Sequence, residues 1–459
     1  MSQALIYDSA DTICAVSTPA GTGGIAVIRL SGPEAISIAD KIWRGKTIAD
    51  CKSHTAHFGT VVDADGSDLD QAVATIFRAP ASYTGDDVIE FSVHGSRWIQ
   101  QRLVNCLIAA GARTALPGEF TRRAFAAGKL DLAQAEAVAD MIASSSKAAH
   151  RMALDQMRGD FSKRIDQMRN SLVRLASLLE LELDFSEEDV EFASRSELRM
   201  LAAELASQLQ TAADSFAAGN AIKDGIPVAI VGATNAGKSS LLNALLADDR
   251  AIVSDIHGTT RDIIEDTTEI GDYLVRLRDT AGLRDTTDPI EQMGIERSHQ
   301  AARHAFLVLY VADSSDAEAL TKARNAVATS ARPAILVANK TDISGYHPTA
   351  SANSSEITEV AVSAKNGDGI EALKNAITDI ISHATSDCDI TVTNARHAEA
   401  FAAASQSLRN LIDALVQGIP SDLAAQDLRE ALYHLSSVTG QITTPEILQS
   451  IFTSFCIGK

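Results

Sequence analysis

The sequence predicts a multidomain α/β protein. An α+β N-terminal domain spans 1–127, a helical bundle spans 128–222 and 384–459, and a P-loop α/β domain over 223–383 is inserted into that bundle. Three observations predict this. Short strand-like runs bounded by Gly, Pro or Asp fill the first 125 residues. From about residue 128 apolar residues recur at helical spacing, with no proline before residue 227. From about residue 226 apolar runs of buried-strand length alternate with helical patterns, and a purely helical texture returns over 394–454.

Each element follows from its own stretch. "GGIAVIRLSG", "TAHFGTVVDADG", "QAVATIFRAP" and "DVIEFSVHG" read as strands of the first domain, and "IQQRLVNCLIAAGAR" as a helix ending at Gly111. "LDLAQAEAVADMIASSSKAAHRMALDQM" and "RIDQMRNSLVRLASLLELELDF" read as long amphipathic helices. "SRSELRMLAAELASQLQTAADSF" opens with Ser194 and Glu197 at capping-box spacing. "PVAIVG", "AFLVLYVAD", "PAILVAN" and "EITEVAVSA" read as buried strands of a mostly parallel sheet. "TSDCDITVTN" reads as the linker that returns the chain to the bundle.

Composition narrows the classes. A chain of 459 residues with 46% hydrophobic and 22% charged residues has material for two to four domains with sizeable cores. It holds no run of eighteen apolar residues, so no membrane span is expected. The start lacks a basic segment followed by an apolar one, so no secretory signal is expected. Cys14, Cys51, Cys106, Cys388 and Cys456 are far apart and odd in number, which predicts reduced thiols in the cytoplasm. The formal charge of −20 disfavours bulk attraction to nucleic acid, so any RNA contact requires a local basic patch or a partner.

The chemistry is concentrated in the inserted domain. "GATNAGKSS" at 232–240 fits G-x-x-x-x-G-K-[ST], directly after a strand and before a helical run. Backbone N–H groups from Asn235 to Ser240 can cradle phosphates there, with Ala236 and Gly237 shaping the loop, Lys238 reaching the outer phosphates and Ser239 ligating Mg²⁺. "NKTD" follows a strand about a hundred residues later. Asp342 can accept from guanine N1–H and its exocyclic amine, which adenine cannot match, so a buried Asp there selects GTP over ATP. Asn339 and Lys340 belong to the same turn, and Ser363, Ala364 and Lys365 supply a further loop beside the base. Between them lie the segment Ser254, Asp255, Ile256, His257, Gly258, Thr259, Thr260 and the segment Asp279, Thr280, Ala281, Gly282. Thr260 is placed to complete the Mg²⁺ shell, Asp279 to hold the ion through water, and the Gly282 N–H to meet the γ-phosphate. These elements in this order predict a GTPase of the Ras-like class.

Leu283 stands where Ras-type proteins carry a water-orienting Gln, so another group must orient water. Glu291 in "PIEQMGIER" can position the water, or be a solvated helix charge. Asn235 can offer its carbonyl oxygen to a monovalent cation beside the phosphates, or simply shape the loop.

"NAGKSSLLNAL", "VSDIHGTTRD" and "DTAGLRD", with the N-terminal "GGIAVIRLSG", "SYTGDDVIEFSVHG" and "PGEFTRRAFAAGKLDLAQAEAVADMI" and the tail "IFTSFCIGK", resemble the tRNA-modification GTPase family MnmE, also called TrmE. The resemblance covers nearly the whole chain. It implies a folate-binding and dimerising first domain, and a homodimer acting with the flavoprotein partner MnmG as a heterotetramer. It implies aminomethyl or carboxymethylaminomethyl addition at C5 of the tRNA wobble uridine, with the one-carbon unit from a formyl or methylene tetrahydrofolate derivative. It also implies potassium-stimulated hydrolysis, with K⁺ held by Asn235, Ser254, Ile256 and Thr259, and with Glu291 positioning water. Folate contacts would be Arg29, Glu90, Lys129 and Lys459, residues that would otherwise read as solvated surface charges. Cys456 would be a thiol near that site. A carboxylate suits pterin donors, and cationic groups suit acceptors and carboxylates.

The sequence departs from the family at Thr234, His257 and Arg278, which bears on the P-loop turn, cation affinity and strand packing. Two other classes were open: a ribosome-assembly GTPase of the Era or Der type, and a nucleotide-gated scaffold whose chemistry belongs to its partner. The former does not place its domain inside a helical bundle, and no second P-loop or basic G-x-x-G module is found. Cys456 lies fourth from the last residue, but Lys459 does not suit a prenylation box. Ile451, Phe452 and Phe455 are costly to leave in water, so the tail is expected to be ordered against a folate site.

Overall fold

A computed structural model describes residues 11–184, 195–247, 266–279, 302–347, 357–386, 390–419 and 421–459. The chain divides into two compact units, Met1–Ala139 with Gln156–Asp166 and Ser436–Lys459, and Asp140–Asp155 with Gln167–Leu435. The segment 254–260 expected to hold potassium, the segment 280–282, Leu283, Glu291, Cys388 and Ser194, expected as a cap, lie outside the described residues.

The first unit is built on a seven-stranded sheet in the order β3-β4-β5-β6-β2-β1-β7. Its strands are β1 (Ile13–Val16), β2 (Gly23–Ser31), β3 (Trp43–Arg44), β4 (Thr55–Val62), β5 (Asp68–Phe77), β6 (Val88–Gly95) and β7 (Arg113–Thr114). All neighbours run antiparallel except β1 and β7. Period-two alternation sets the faces. Ala26, Ile28 and Leu30 of β2 and Phe91 of β6 are buried with Leu103 and Leu107 of the helix α2 (Arg97–Ala110), beside α1 (Ala35–Lys41). Arg29, between two inward residues, faces the other side and pairs in register with Glu90. On that side Ile13, Ala15, Ala115 and Phe120 form a second small core, with Tyr83 packed on it.

Phe120 belongs to α3 (Glu119–Ala126), and α4 (Leu132–Ala143) follows. The expected tail is ordered. Its helix Pro445–Thr453 is capped by Thr444, whose hydroxyl accepts from Ile447 N–H. Phe452 and Phe455 are buried with Leu132 and Ala135. A side chain on Gly118 would meet the Phe452 carbonyl at 2.8 Å and Phe455 Cβ at 3.0 Å, so this glycine lets the tail lie on the α3 entry loop.

The second unit holds a six-stranded sheet, β13-β12-β11-β8-β10-β9. The strands are β8 (Ile226–Gly232), β9 (Asp266–Ile270), β10 (Tyr273–Asp279), β11 (Leu307–Asp313), β12 (Ala334–Asn339) and β13 (Thr358–Ala361). The neighbours are parallel apart from β9, which is antiparallel to β10. The strand runs expected from the sequence are therefore present, and the β9–β10 hairpin adds an antiparallel edge. Ile230, Leu309 and Val337 are fully or almost fully buried beneath helices on the sheet, as expected for parallel strands covered on both faces.

The long helical stretch expected after residue 130 is not continuous. It breaks between α4 and α5 (Lys147–Met157) at Ser144–Ser146. Serine hydroxyls compete for backbone groups there: Ser144 donates to Met141 O at 2.8 Å, and Ser146 accepts from Ala149 N–H at 3.2 Å. After α6 (Asp160–Asp184), α7 (Arg195–Asp214) packs along the returning helix α13 (Ala395–Gln417), with Ser405 donating to Ala206 O at 2.8 Å. Val392, near the end of the expected return linker, lies on α8 (Phe216–Asp224), where a Cβ on Gly219 would meet its carbonyl oxygen at 2.1 Å. Among the described residues the remaining α-helices are α9 (Lys238–Leu246), α10 (Ala317–Ala328), the single turn α11 (Thr341–Ser344), α12 (Ile370–Ser386), α14 (Ser421–Thr439) and the tail helix α15. Among the described residues, no helix is long and apolar enough to cross a membrane.

Candidate functional site

The P-loop runs from the end of β8 into α9, as its spacing predicts. Two left-handed residues bend it, Asn235 at φ 67° and Gly237 at φ 93°. Asn tolerates that conformation better than most residues, which supplies a backbone reason for it. Gly237 is required twice over, because an added Cβ would also meet Asn339 Nδ2 at 2.2 Å. Lys238 opens α9 and donates to the carbonyls of Gly232 and Ala233, both at 2.9 Å. Its ammonium is thereby held at the loop it belongs to. The hydroxyls of Ser239 and Ser240 are on exposed residues of the first turn of α9.

Asn339, at the end of β12, joins the loops. It is 2% exposed. Its Nδ2 donates to Ala236 O at 2.9 Å, and its Oδ1 accepts from Ala364 N–H at 3.0 Å. One side chain thus ties the phosphate loop to the 363–365 loop. Asp342 follows on α11, and one of its oxygens accepts from the Ser363 hydroxyl at 2.8 Å. Asp342 itself is exposed, which corrects the expectation of a buried carboxylate. It lies in a one-turn helix, which buries little of any side chain. Ser363 is fully buried and Lys365 is exposed.

Lys340, at φ 65°, pairs with Asp313 at 2.8 Å. Burial pushes the Asp313 carboxyl up. The Lys340 ammonium and the Ser315 hydroxyl and N–H outweigh that and bring it to about 2. Of the two Mg²⁺ ligands expected, Ser239 is described and Thr260 lies outside the described residues. The backbone of Asp279 ends β10 in register with Ile230, one strand away from the P-loop strand's end.

A second charged cluster lies in the first unit. The Arg29 guanidinium donates to Glu90 through Nε and Nη2, each at 2.8 Å. Their side chains are 14% and 25% exposed, so neither is the solvated charge that sequence alone suggests. The guanidinium carbon lies 5.5 Å from the Tyr83 ring centre and 5.4 Å from that of Phe120. Arg29 Nη1 also donates to Gly458 O at 3.4 Å, and Ser17 Oγ donates to the same carbonyl at 3.2 Å. Gly458 has φ 100°, and a Cβ there would meet Val16 O at 2.3 Å. Lys129 is exposed and its ammonium donates to Pro80 O, in the loop that carries Tyr83.

The fold therefore brings Arg29, Glu90 and the backbone beside Lys459 together, and links Lys129 to them through the 80–83 loop. Cys456 is a free, exposed thiol, and its carbonyl accepts from Gly118 N–H and Lys459 N–H, each at 3.4 Å. Tyr83, Phe120 and Ser17 were not singled out from the sequence. Tyr83 and Phe120 lie within the quoted "SYTGDD" and "PGEF" segments, and only the tertiary fold shows them flanking Arg29.

Comparison with known proteins identifies the family of the chain. A family model described as the MnmE helical domain matches residues 132–456, and one described as the GTP-binding protein TrmE N-terminus matches 12–129. A tRNA modification GTPase MnmE of Parabacteroides distasonis is 48% identical, over 98% of this chain and 100% of its own length. That of Bacteroides fragilis is 47% identical over 98% and 99%. That of Cytophaga hutchinsonii is 45% identical over 100% of both. Matched in this way along nearly its full length, the chain belongs to the MnmE (TrmE) family of tRNA modification GTPases.

Proposed function

We propose that the chain hydrolyses GTP, stimulated by potassium, in the course of modifying the wobble uridine of tRNA. Its relatives carry the name tRNA modification GTPase. The observation that most supports the nucleotide half is the bridge made by buried Asn339 between the P-loop and the 363–365 loop, with Asp342 beside it. Phosphates would lie on the backbone N–H groups at the start of α9, where the helix dipole favours anions. Asp342 would accept from the guanine edge. Glu291 would orient the attacking water, since Leu283 cannot.

The donor chemistry fits the ions this requires. The Ser239 hydroxyl is a hard oxygen ligand on an exposed residue beside Lys238, suited to Mg²⁺ together with Thr260. Asn235, Ser254, Ile256 and Thr259 would offer oxygens to K⁺. Both cations, when bound, offset charge developing on phosphate oxygens.

In the first unit, Arg29, Glu90, Lys129 and Lys459 would hold a tetrahydrofolate derivative that supplies a one-carbon unit at C5 of the uridine. The partly buried Arg29–Glu90 pair and the ordered tail support this. The chain would act as a homodimer with a flavoprotein partner, MnmG, in the cytoplasm.

The test is GTP turnover in K⁺ against Na⁺ buffer, with the parent and Asn235→Ala. Potassium should accelerate the parent strongly. The variant should lose most of that stimulation, about 10²-fold, the usual cost of one preorganised electrostatic contact. Equal rates of the parent in the two salts would remove the cation from the mechanism.

A further inference from the structure

The base-reading turn is too short to hold itself in place. α11 has four residues, fewer than an isolated helix needs for stability. It is bounded by left-handed residues, Lys340 at φ 65° and Gly345 at φ 63°. The direction of Asp342 therefore depends on anchors outside the turn. Two are close: Ser363 on Asp342, and Ser314 Oγ at 2.6 Å from Ser344 Oγ.

The third anchor is larger and has no role in the chemistry described above. Tyr346, four residues past Asp342, donates its hydroxyl to Glu359 Oε1 at 2.5 Å. Arg324 Nη2 donates to the same tyrosine oxygen at 2.7 Å. Arg324 also grips Glu359 through Nε at 3.2 Å and Nη2 at 3.1 Å. The Glu359 side chain is only 6% exposed, so its charge relies on these donors. The Tyr346 ring packs against the apolar layer of Leu320, Val327 and Leu336. Arg324 is on α10 and Glu359 on β13, where Glu359 pairs in register with Leu336 of β12. β12 is the strand that ends at Asn339, so the segment carrying Asp342 is fastened at both ends to the same part of the sheet.

We propose that Tyr346, held by Glu359 and Arg324, is a positioning residue that aims Asp342 at the base and so sets discrimination for guanine. This rests on the reading that Asp342 accepts from the guanine edge. The cluster ends on the first aromatic ring after the base-reading turn.

The experiment measures dissociation constants of the full chain for GDP and IDP. Inosine lacks the 2-amino group, so the IDP/GDP ratio reports how well Asp342 meets that edge. Tyr346→Phe removes one hydroxyl and leaves the ring. GDP binding should weaken about five- to tenfold, as for loss of a hydrogen bond that orients a binding group, while IDP binding changes less and the ratio falls. Glu359→Gln keeps an acceptor for the tyrosine and should lower the ratio only about twofold. A Tyr346→Phe ratio equal to the parent's overturns the proposal, whatever happens to the melting temperature. Should Tyr346→Phe fail to fold, an unchanged ratio in Glu359→Gln overturns it instead.

Asp342→Asn separates the proposal from the reading beneath it. It should shift preference from GDP toward XDP, whose extra carbonyl suits an amide donor. Without that shift, base reading by Asp342 fails and the proposal with it. With that shift and an unmoved Tyr346→Phe ratio, only the positioning role fails.

Discussion

Replacing Asn339 by alanine removes two hydrogen bonds at once and leaves both partners in place. The Ala236 carbonyl loses a donor at 2.9 Å and the Ala364 N–H loses an acceptor at 3.0 Å. A polar group left unpaired in a buried site costs about 1–3 kcal/mol, so the pair costs roughly 2–4 kcal/mol if water partly repairs one of them. Some of that falls on stability, because the bonds exist without nucleotide. The rest falls on binding, because the nucleotide must then order two loops that the side chain had already joined. At about 1.4 kcal/mol per tenfold, guanine nucleotide affinity should drop roughly 10- to 100-fold. Asn339→Asp should not restore it. A carboxylate can still accept from Ala364 N–H but would face the Ala236 carbonyl as a second acceptor. The assay is titration with a fluorescent GDP analogue, alongside thermal melting of the nucleotide-free chain. An alanine variant that binds within threefold of the parent and melts at the same temperature would refute the role given to Asn339.

Three further outcomes are expected. Gly458→Ala forces a Cβ toward Val16 O at 2.3 Å from a φ of 100°, so the tail should lift from Arg29; calorimetry should show formyl-tetrahydrofolate binding weakened at least tenfold, a cost of about 1–3 kcal/mol, with basal GTP turnover unchanged. Glu291→Ala should cut GTP turnover by about 10²–10⁴ while nucleotide affinity stays nearly constant, and near-normal turnover would return Glu291 to a surface charge. Asp313 has its folded pKa depressed to about 2 from 3.8, so its bonds from Lys340 and Ser315 stabilise the fold above the unfolded value and are lost as pH falls through about 2. Denaturant unfolding of the parent and Asp313→Asn should differ by up to about 2 kcal/mol at pH 5 and converge near pH 2; a constant gap would show that the pairing is not the cause.

Much of this fold was legible because its signals are local. The strand "PVAIV", the glycine spacing of 232–237 and the helix after it occupy one short stretch, and β8, the left-handed Gly237 and α9 follow in that order. The buried runs at 307–313 and 334–339 read as strands for the same reason. What was not legible depends on pairing across distance. Arg29 reads as a surface charge until the β2–β6 register places Glu90 opposite it and the tail brings Gly458 O to its guanidinium. The β9–β10 hairpin, "DTTEIGDYLVRLRD", carries polar residues at an edge and gave no apolar run to recognise. The break at Ser144–Ser146 lies inside an otherwise helical pattern, where only competition from serine hydroxyls marks it. The anchoring of Tyr346 joins residues 324, 346 and 359, which no spacing rule connects.

If the 232–238 loop, Asn339, Asp342 and the 363–365 loop form a guanine-selective hydrolytic site, steady-state turnover of the purified full chain with GTP and with ATP, in Mg²⁺ and K⁺, will show it. GTP should be hydrolysed and ATP at least about 10²-fold more slowly, because adenine offers Asp342 no matching donors. Comparable turnover of the two nucleotides, or none of GTP, would contradict it.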